Sequence, residues 1–133
     1  MNSSVLTRED ESNAEVTRAD QEKINLFSRL NTRLSGLKER SERLEADIDS
    51  IEQSEMVVEE MMVMDQDHVL LNVGTALVMA DEDVASTYVS TEKDSLKAKH
   101  AEVVAEINKA EGEMSALKQE LYGKFGSSIN LDP

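Results

Sequence analysis

Apolar residues recur at seven-residue intervals in two rows along the first half of the chain, and no other feature limits its possible folds as tightly. One row is Leu30, Leu37, Leu44, Ile51 and Val58; the other, offset by four, is Phe27, Leu34, Ser41, Ile48, Glu55 and Met62. Rows of this spacing form the a and d seam of a coiled coil, and the Glu, Lys, Arg, Asp, Ser and Gln between them form its solvated face. Ser41 and Glu55 stand as polar interruptions of the second row.

The pattern has a clear start. Thr17 is the expected N-cap, with Asp20 three residues on to complete a capping pair. After a central break the repeat resumes. Leu96, Val103, Ala110 and Leu117 make one row and His100, Ile107, Met114 and Leu121 the other. Asp81, Glu82 and Asp83 suit the start of this second helix through capping and the macrodipole. Lys118, Gly123, Lys124 and Gly126 suit its end. The only proline is Pro133, so nothing inside the chain forces either helix to break. Each helix is expected to run on the order of 60 Å.

Folded back on each other in antiparallel register, the rows predict Leu30 opposite Leu121, Leu34 opposite Leu117 and Leu37 opposite Met114. Ser41 then faces Ala110, Leu44 faces Ile107 and Ile48 faces Val103. The midpoint of this register falls inside the central break, beside Thr75. A slip of one heptad satisfies the same pattern.

The break itself reads "HVLLNVGTALVMA" from His68 to Ala80. Two short β-prone runs, with Val69, Leu71 and Val73 before Gly74 and Leu77 and Met79 after it, are flanked by Asp65, Asp67, Asp81 and Asp83. This predicts a β-hairpin at about 68–80; the competing reading is a helical turn in a continuous coil. A lone two-stranded hairpin is marginal in water, and its edges and apolar faces require another polypeptide. Hairpins from several subunits joined into a barrel remove those edges.

Composition agrees with long helices rather than a layered core, with 39% hydrophobic, 3% aromatic and 32% charged residues. The formal charge of −14 repels phosphate backbones and anionic lipid, so no nucleic acid and no membrane is expected as a direct partner. The absence of cysteine excludes disulfides and thiolate chemistry. The acidic N-terminal stretch lacks an apolar core, so neither a secretory nor a transit signal is expected, and the expected location is the cytoplasm, with the nucleus open as a second compartment. Residues 1–16 are expected to form a disordered acidic arm, 17–126 the helical hairpin, and 127–133 a C-terminal tail.

Three local features extend the pattern. "DQEKINLFSRLNTRL" opens the first helix, "NVGTALVMADED" spans the hairpin, and "LYGKFGSSINLD" closes the second helix. Two heptad helices joined by one hairpin, with these motifs over residues 20 to 132, resemble the β-class subunits of prefoldin, and the closing "KFGSSINL" is similar to the tail of one eukaryotic β-class type. The resemblance implies a hexamer of two α-class and four β-class subunits with a double β-barrel body and six coiled-coil arms. It further implies capture of unfolded or nascent polypeptide of the actin and tubulin class, without ATP, and its transfer to the cytosolic chaperonin. This chain would be a co-chaperone and not an enzyme, and needs no cofactor.

In that arrangement both chain termini lie at the distal tip. Tyr122, Phe125, Ile129 and Leu131, outside the seam or past its end, are the candidate client contacts; Phe27 and Leu121 either join them or finish the seam. A tail folded back on its own helices is the alternative for the first four. Val69, Leu71, Val73, Gly74, Leu77 and Met79 are the candidate assembly residues. Met56, Met61, Met62, Met64 and Met79 fit a core or subunit interface better than a binding groove. Asp65–His68 lacks the spacing of a calcium or zinc site, so no metal is expected. No carboxylate pair is set apart for acid–base chemistry, and the glycines are too scattered for a phosphate loop. The rival function is a structural or tethering coil that binds a partner coil, for which the hairpin serves no purpose.

Overall fold

The computed structural model describes residues 15–64, 68–73 and 76–131, with residues 68–80 and Ser127 described by backbone alone. The order of elements is α1 (Arg18–Val63), β1 (His68–Val73), β2 (Ala76–Asp81) and α2 (Glu82–Phe125), followed by a single 3-10 turn, Gly126–Ser128. Contacts divide the chain into a terminal unit, Met1–Glu39 with Val104–Pro133, and a central unit, Arg40–Val103. In each unit a segment of α1 packs against a segment of α2.

The start of α1 is a reciprocal capping box. The amide of Thr17 donates to Asp20 Oδ2 at 3.0 Å, and the amide of Asp20 donates to Thr17 Oγ1 at 3.1 Å. Both serve backbone donors that a helix start leaves without partners. At the start of α2, Asp81 does the same work by accepting from the Val84 amide at 2.9 Å. Asp81 is also the last residue of β2, so strand passes into helix with no intervening residue.

The strands pair antiparallel, with His68 opposite Asp81, Leu71 opposite Val78, Asn72 opposite Leu77 and Val73 opposite Ala76. Among the described residues the sheet has these two strands alone. Gly74, assigned to the turn from sequence, lies outside the described residues, as does the Asp65–Asp67 stretch and residues 1–14 of the expected N-terminal arm.

The heptad rows supply the buried residues. Phe27 and Leu34 in the terminal unit are buried from the first helix, as are Leu44 and Val58 in the central unit; Ala110 and Leu121, and Leu96 and Val103, are their counterparts on the second. Their alignment is displaced by one heptad from the expectation. In the terminal unit Leu121 clusters with Ile24 and Phe27 rather than with Leu30, Lys23 Nζ lies 2.8 Å from Glu120 and Arg33 lies 3.3 Å from Glu106. In the central unit Ser41 Oγ lies 3.3 Å from His100 Nε2, instead of facing Ala110.

Two physical causes account for the displacement. Residues 64–67 separate α1 from β1, whereas β2 runs straight into α2, so the midpoint of the hairpin is not the midpoint of the helix pair. The seam's polar residues then decide between heptads. Ser41 is matched by His100, whose Nε2 also lies 3.3 Å from Glu45 Oε1, and Glu55 is matched by Lys93. The expected register would have set Glu55 against Leu96 and left a carboxylate in the seam without a cation, which is the costlier choice.

Candidate functional site

The terminal unit carries one closed apolar cluster: Ile24 and Phe27 from α1, Leu121 and Phe125 from α2, and Ile129 and Leu131 from the segment beyond it. Val16, Met114, Leu117 and Tyr122 pack around its margin. Helical spacing brings Ile24 and Phe27 to one face of α1, and Leu121 and Phe125 to one face of α2. Val16 thus belongs to the packed end of the chain, inside the boundary drawn for the acidic arm.

The closing segment reaches the cluster through a turn. Gly126 has φ +58, a left-handed conformation that costs a side-chain-bearing residue about 1 kcal/mol or more. The 3-10 turn follows, with buried Ser128 Oγ donating to the Phe125 carbonyl. Ile129 is extended, at φ −115 and ψ 140. In extended backbone alternate side chains share a face, so Ile129 and Leu131 turn inward and Asn130 stays exposed. The Leu131 amide donates to the Tyr122 hydroxyl at 3.4 Å.

Polar contacts brace the walls. Lys124 Nζ donates to Asp20 Oδ2, the carboxylate that also caps α1, and so ties the end of α2 to the start of α1. Burial would raise the Asp20 pKa, but the hydrogen bonds from Lys124 and Thr17 outweigh it and hold the carboxyl below its ordinary 3.8. Lys118 Nζ lies 5.7 Å from the Tyr122 ring centroid, and Lys124 Nζ lies 5.4 Å from that of Phe125.

The structure therefore brings the candidate client residues Phe27, Leu121, Tyr122, Phe125, Ile129 and Leu131 together in one place and folds the tail over them. Phe125, Ile129 and Leu131 are only 5, 4 and 6% exposed. Burial of each aliphatic side chain in the tail contributes about 1.5–3 kcal/mol of transfer free energy. Ile24 is the member that sequence reasoning missed. It falls outside both heptad rows, and its one signal is the three-residue spacing to Phe27.

The central unit presents the opposite surface. Val58, Ala85 and Val89 form a small core, with Ile51, Met61 and Tyr88 against it. Beside this core Val63 is 87% exposed, Met56 and Met64 are 67% exposed, and Met62, Val57 and Val84 are exposed too. Gln53, Met56, Val57, Glu59, Glu60 and Val63 line a shallow groove on this part of α1. Of the five methionines assigned to core or interface, Met61 is packed, Met56, Met62 and Met64 are open, and the side chain of Met79 lies outside the described residues. Val69, Leu71, Val73 and Leu77 take their places in the strand register. Among the described residues no three His, Cys, Asp or Glu side chains converge as a metal site, and no helix is long and apolar enough to cross a membrane.

A family model described as "Prefoldin subunit" matches residues 21–128. The chain is 28% identical to bovine (Bos taurus) prefoldin subunit 4 over 88% of this chain and 87% of that one. It is 29% identical to the probable prefoldin subunit 4 of Caenorhabditis briggsae over 90% and 94% of the two chains, and 27% identical to prefoldin subunit 4 of Saccharomyces cerevisiae over 96% and 98%. Among solved structures, the prefoldin beta subunit from Thermococcus strain KS-1 superimposes with a TM-score of 0.71 at 12% identity, over 84% of this chain and 96% of that one, which shows a shared fold.

Proposed function

This chain belongs to the prefoldin subunit family, and from that premise we propose that it is a β-class subunit of a heterohexamer containing two α-class and three further β-class subunits. Its hairpin joins those of its neighbours in an intersubunit β-barrel. The terminal unit holds segments of unfolded or nascent polypeptide, of the actin and tubulin class, and passes them to the cytosolic chaperonin without ATP. The protein is a non-enzymatic co-chaperone that works in the cytoplasm.

The observation that carries the reading is the sheet, two strands among the described residues, in the unit that also carries an exposed apolar band. Two strands leave backbone donors and acceptors open along both edges, and Met56, Val57, Val63 and Val84 leave apolar surface in water. Partner subunits would satisfy both. A tethering coil would need neither, since it binds through its helices.

The test is the native mass and composition of the complex purified from the protein's own cells. A heterohexamer with two-hairpin partners is the expected result. A homodimer, or a complex with a single unrelated coiled-coil protein, would replace this reading with the tethering one.

A further inference from the structure

Resting on the reading of the terminal unit as the client-holding end, we propose that the apolar site walled by Ile24, Phe27, Leu121 and Phe125 is a groove for extended peptide bearing branched aliphatic side chains at alternate positions. Residues 126–131 are its resident occupant, which such a segment of non-native chain displaces.

The tail is itself the template for this ligand. It is not a continuation of α2, because Gly126 at φ +58 turns the chain out of the helix. Past the 3-10 turn the backbone is extended, and Ile129 and Leu131 enter the cluster while Asn130 between them stays outside. The site thus reads every second residue, as a surface that takes a strand does, and not the three- and four-residue spacing of a helix.

The tail is held in a way that another chain can copy. Apolar contact is non-directional, so any segment placing two aliphatic side chains two residues apart makes the same burial. The Tyr122 hydroxyl takes the Leu131 amide at 3.4 Å, longer than the usual 2.9–3.0 Å, and accepts an amide from any peptide laid there.

The walls do not depend on the tail. Asp20 joins Lys124, Lys23 joins Glu120 at 2.8 Å, and the Thr17–Asp20 box fixes the start of α1. When the tail lifts at Gly126, these contacts remain and keep the two helices in place. The apparent affinity for a client is then the intrinsic affinity reduced by the fraction of molecules with the tail lifted.

The experiment uses the assembled complex containing this chain and two labelled short peptides of equal composition, one with Leu and Ile at alternate positions and one with them at helical spacing. Replacing Ile129→Ser and Leu131→Ser together unseats the tail and leaves every wall residue in place. Native mass verifies assembly. The alternating peptide is expected to bind on the order of tenfold tighter to this variant, with little change for the helical one. Unchanged or weaker binding of the alternating peptide overturns the displacement model. Weaker binding would make the tail itself the client contact and leave the terminal unit as the client end.

Adding Phe27→Ser to the Ile129→Ser, Leu131→Ser variant separates the two claims, because with the tail already unseated a lost wall residue can only weaken the alternating peptide. Wild-type capture of the peptide with no change in either variant overturns both the groove and the terminal client site. A second readout needs no core substitution. The chain has no native cysteine, so an environment-sensitive fluorophore on Asn130→Cys, the exposed position between the two docked side chains, reports tail release. Its signal should change as the alternating peptide saturates the complex, and a signal indifferent to bound peptide overturns the proposal.

Discussion

Lys93 Nζ stands 2.9 and 2.8 Å from the two carboxylate oxygens of Glu55, and both residues occupy seam positions of their helices where apolar side chains are the rule. The hydrogen bonds that Lys93 donates to Glu55 raise the Lys93 pKa above its ordinary 10.5 against the opposing effect of desolvation. A raised cation contributes stability in full below pH 10.5, and that contribution is lost as pH rises through the folded value.

Removing one partner should therefore cost more than removing both. Lys93→Met alone is expected to lower the melting temperature of the complex by a few degrees, because a partly shielded carboxylate loses its cation. Lys93→Met with Glu55→Leu should regain most of that loss. Melting followed by circular dichroism checks both, and a double variant no better than the single one would remove the pairing from its role in the register.

Asp20 has the opposite sign. Its carboxyl is held below 3.8 in the folded protein, so its contribution is complete above pH 3.8 and lost as pH falls through the lower folded value. Asp20→Asn keeps an oxygen for the Thr17 amide but loses the charge that Lys124 meets. Amide exchange in the terminal unit should quicken at neutral pH in this variant, while its acid sensitivity below pH 3.8 becomes shallower than that of the wild type.

At the hairpin, Val73 lies opposite Ala76 and Leu77 opposite Asn72. Val73→Asp or Leu77→Asp should abolish co-assembly and leave helix content near the wild-type value, since the helices have their own seam. Native mass spectrometry and far-ultraviolet circular dichroism read the two effects separately. Normal hexamers from both variants would move assembly away from the hairpin.

Gly126→Ala meets no steric obstacle, since an added Cβ has no neighbour within 4 Å, but it puts an alanine at φ +58. The expected cost is about 1 kcal/mol. It should fall on the docked tail, with exchange of the Leu131 amide about fivefold faster and the rest of the terminal unit unchanged.

Truncation after Gly123 removes the tail together with the Phe125 wall. Assembly should persist, and suppression of client aggregation should weaken. Suppression equal to that of the Ile129→Ser, Leu131→Ser variant, which keeps Phe125, would place client capture elsewhere on the complex.

Much of this architecture was legible in the heptads. Phe27, Leu34, Leu37, Leu44 and Val58 on one helix, and Leu96, Val103, Ala110 and Leu121 on the other, are buried as their positions required. The Thr17–Asp20 box and the Asp81 cap followed from local chemistry alone. The register did not, because a seven-residue repeat is unchanged by a shift of seven. Only the residues that break the repeat can fix it, and the cation that meets Glu55, Lys93, lies on the other helix, where no repeat along α1 points to it.

The tail was hidden for a different reason. Periodicity ends near Leu121, and whether Ile129 and Leu131 lie open or packed depends on Ile24 and Phe27, about a hundred residues away in sequence. Ile24 shares that difficulty, since its burial comes from contact across the helix pair and not from any repeat along its own helix.

Asp81 closes the last strand and caps the helix that follows, and one residue in both roles leaves no slack between the two. The rotational phase of α2 about its own axis is set at that single peptide. One residue inserted between Asp81 and Glu82 would turn the helix by about 100°, and Ala85, Val89 and Leu96 would rotate out of the seam together. The junction behaves as a keyed shaft: it tolerates changes of side chain far more readily than changes of length.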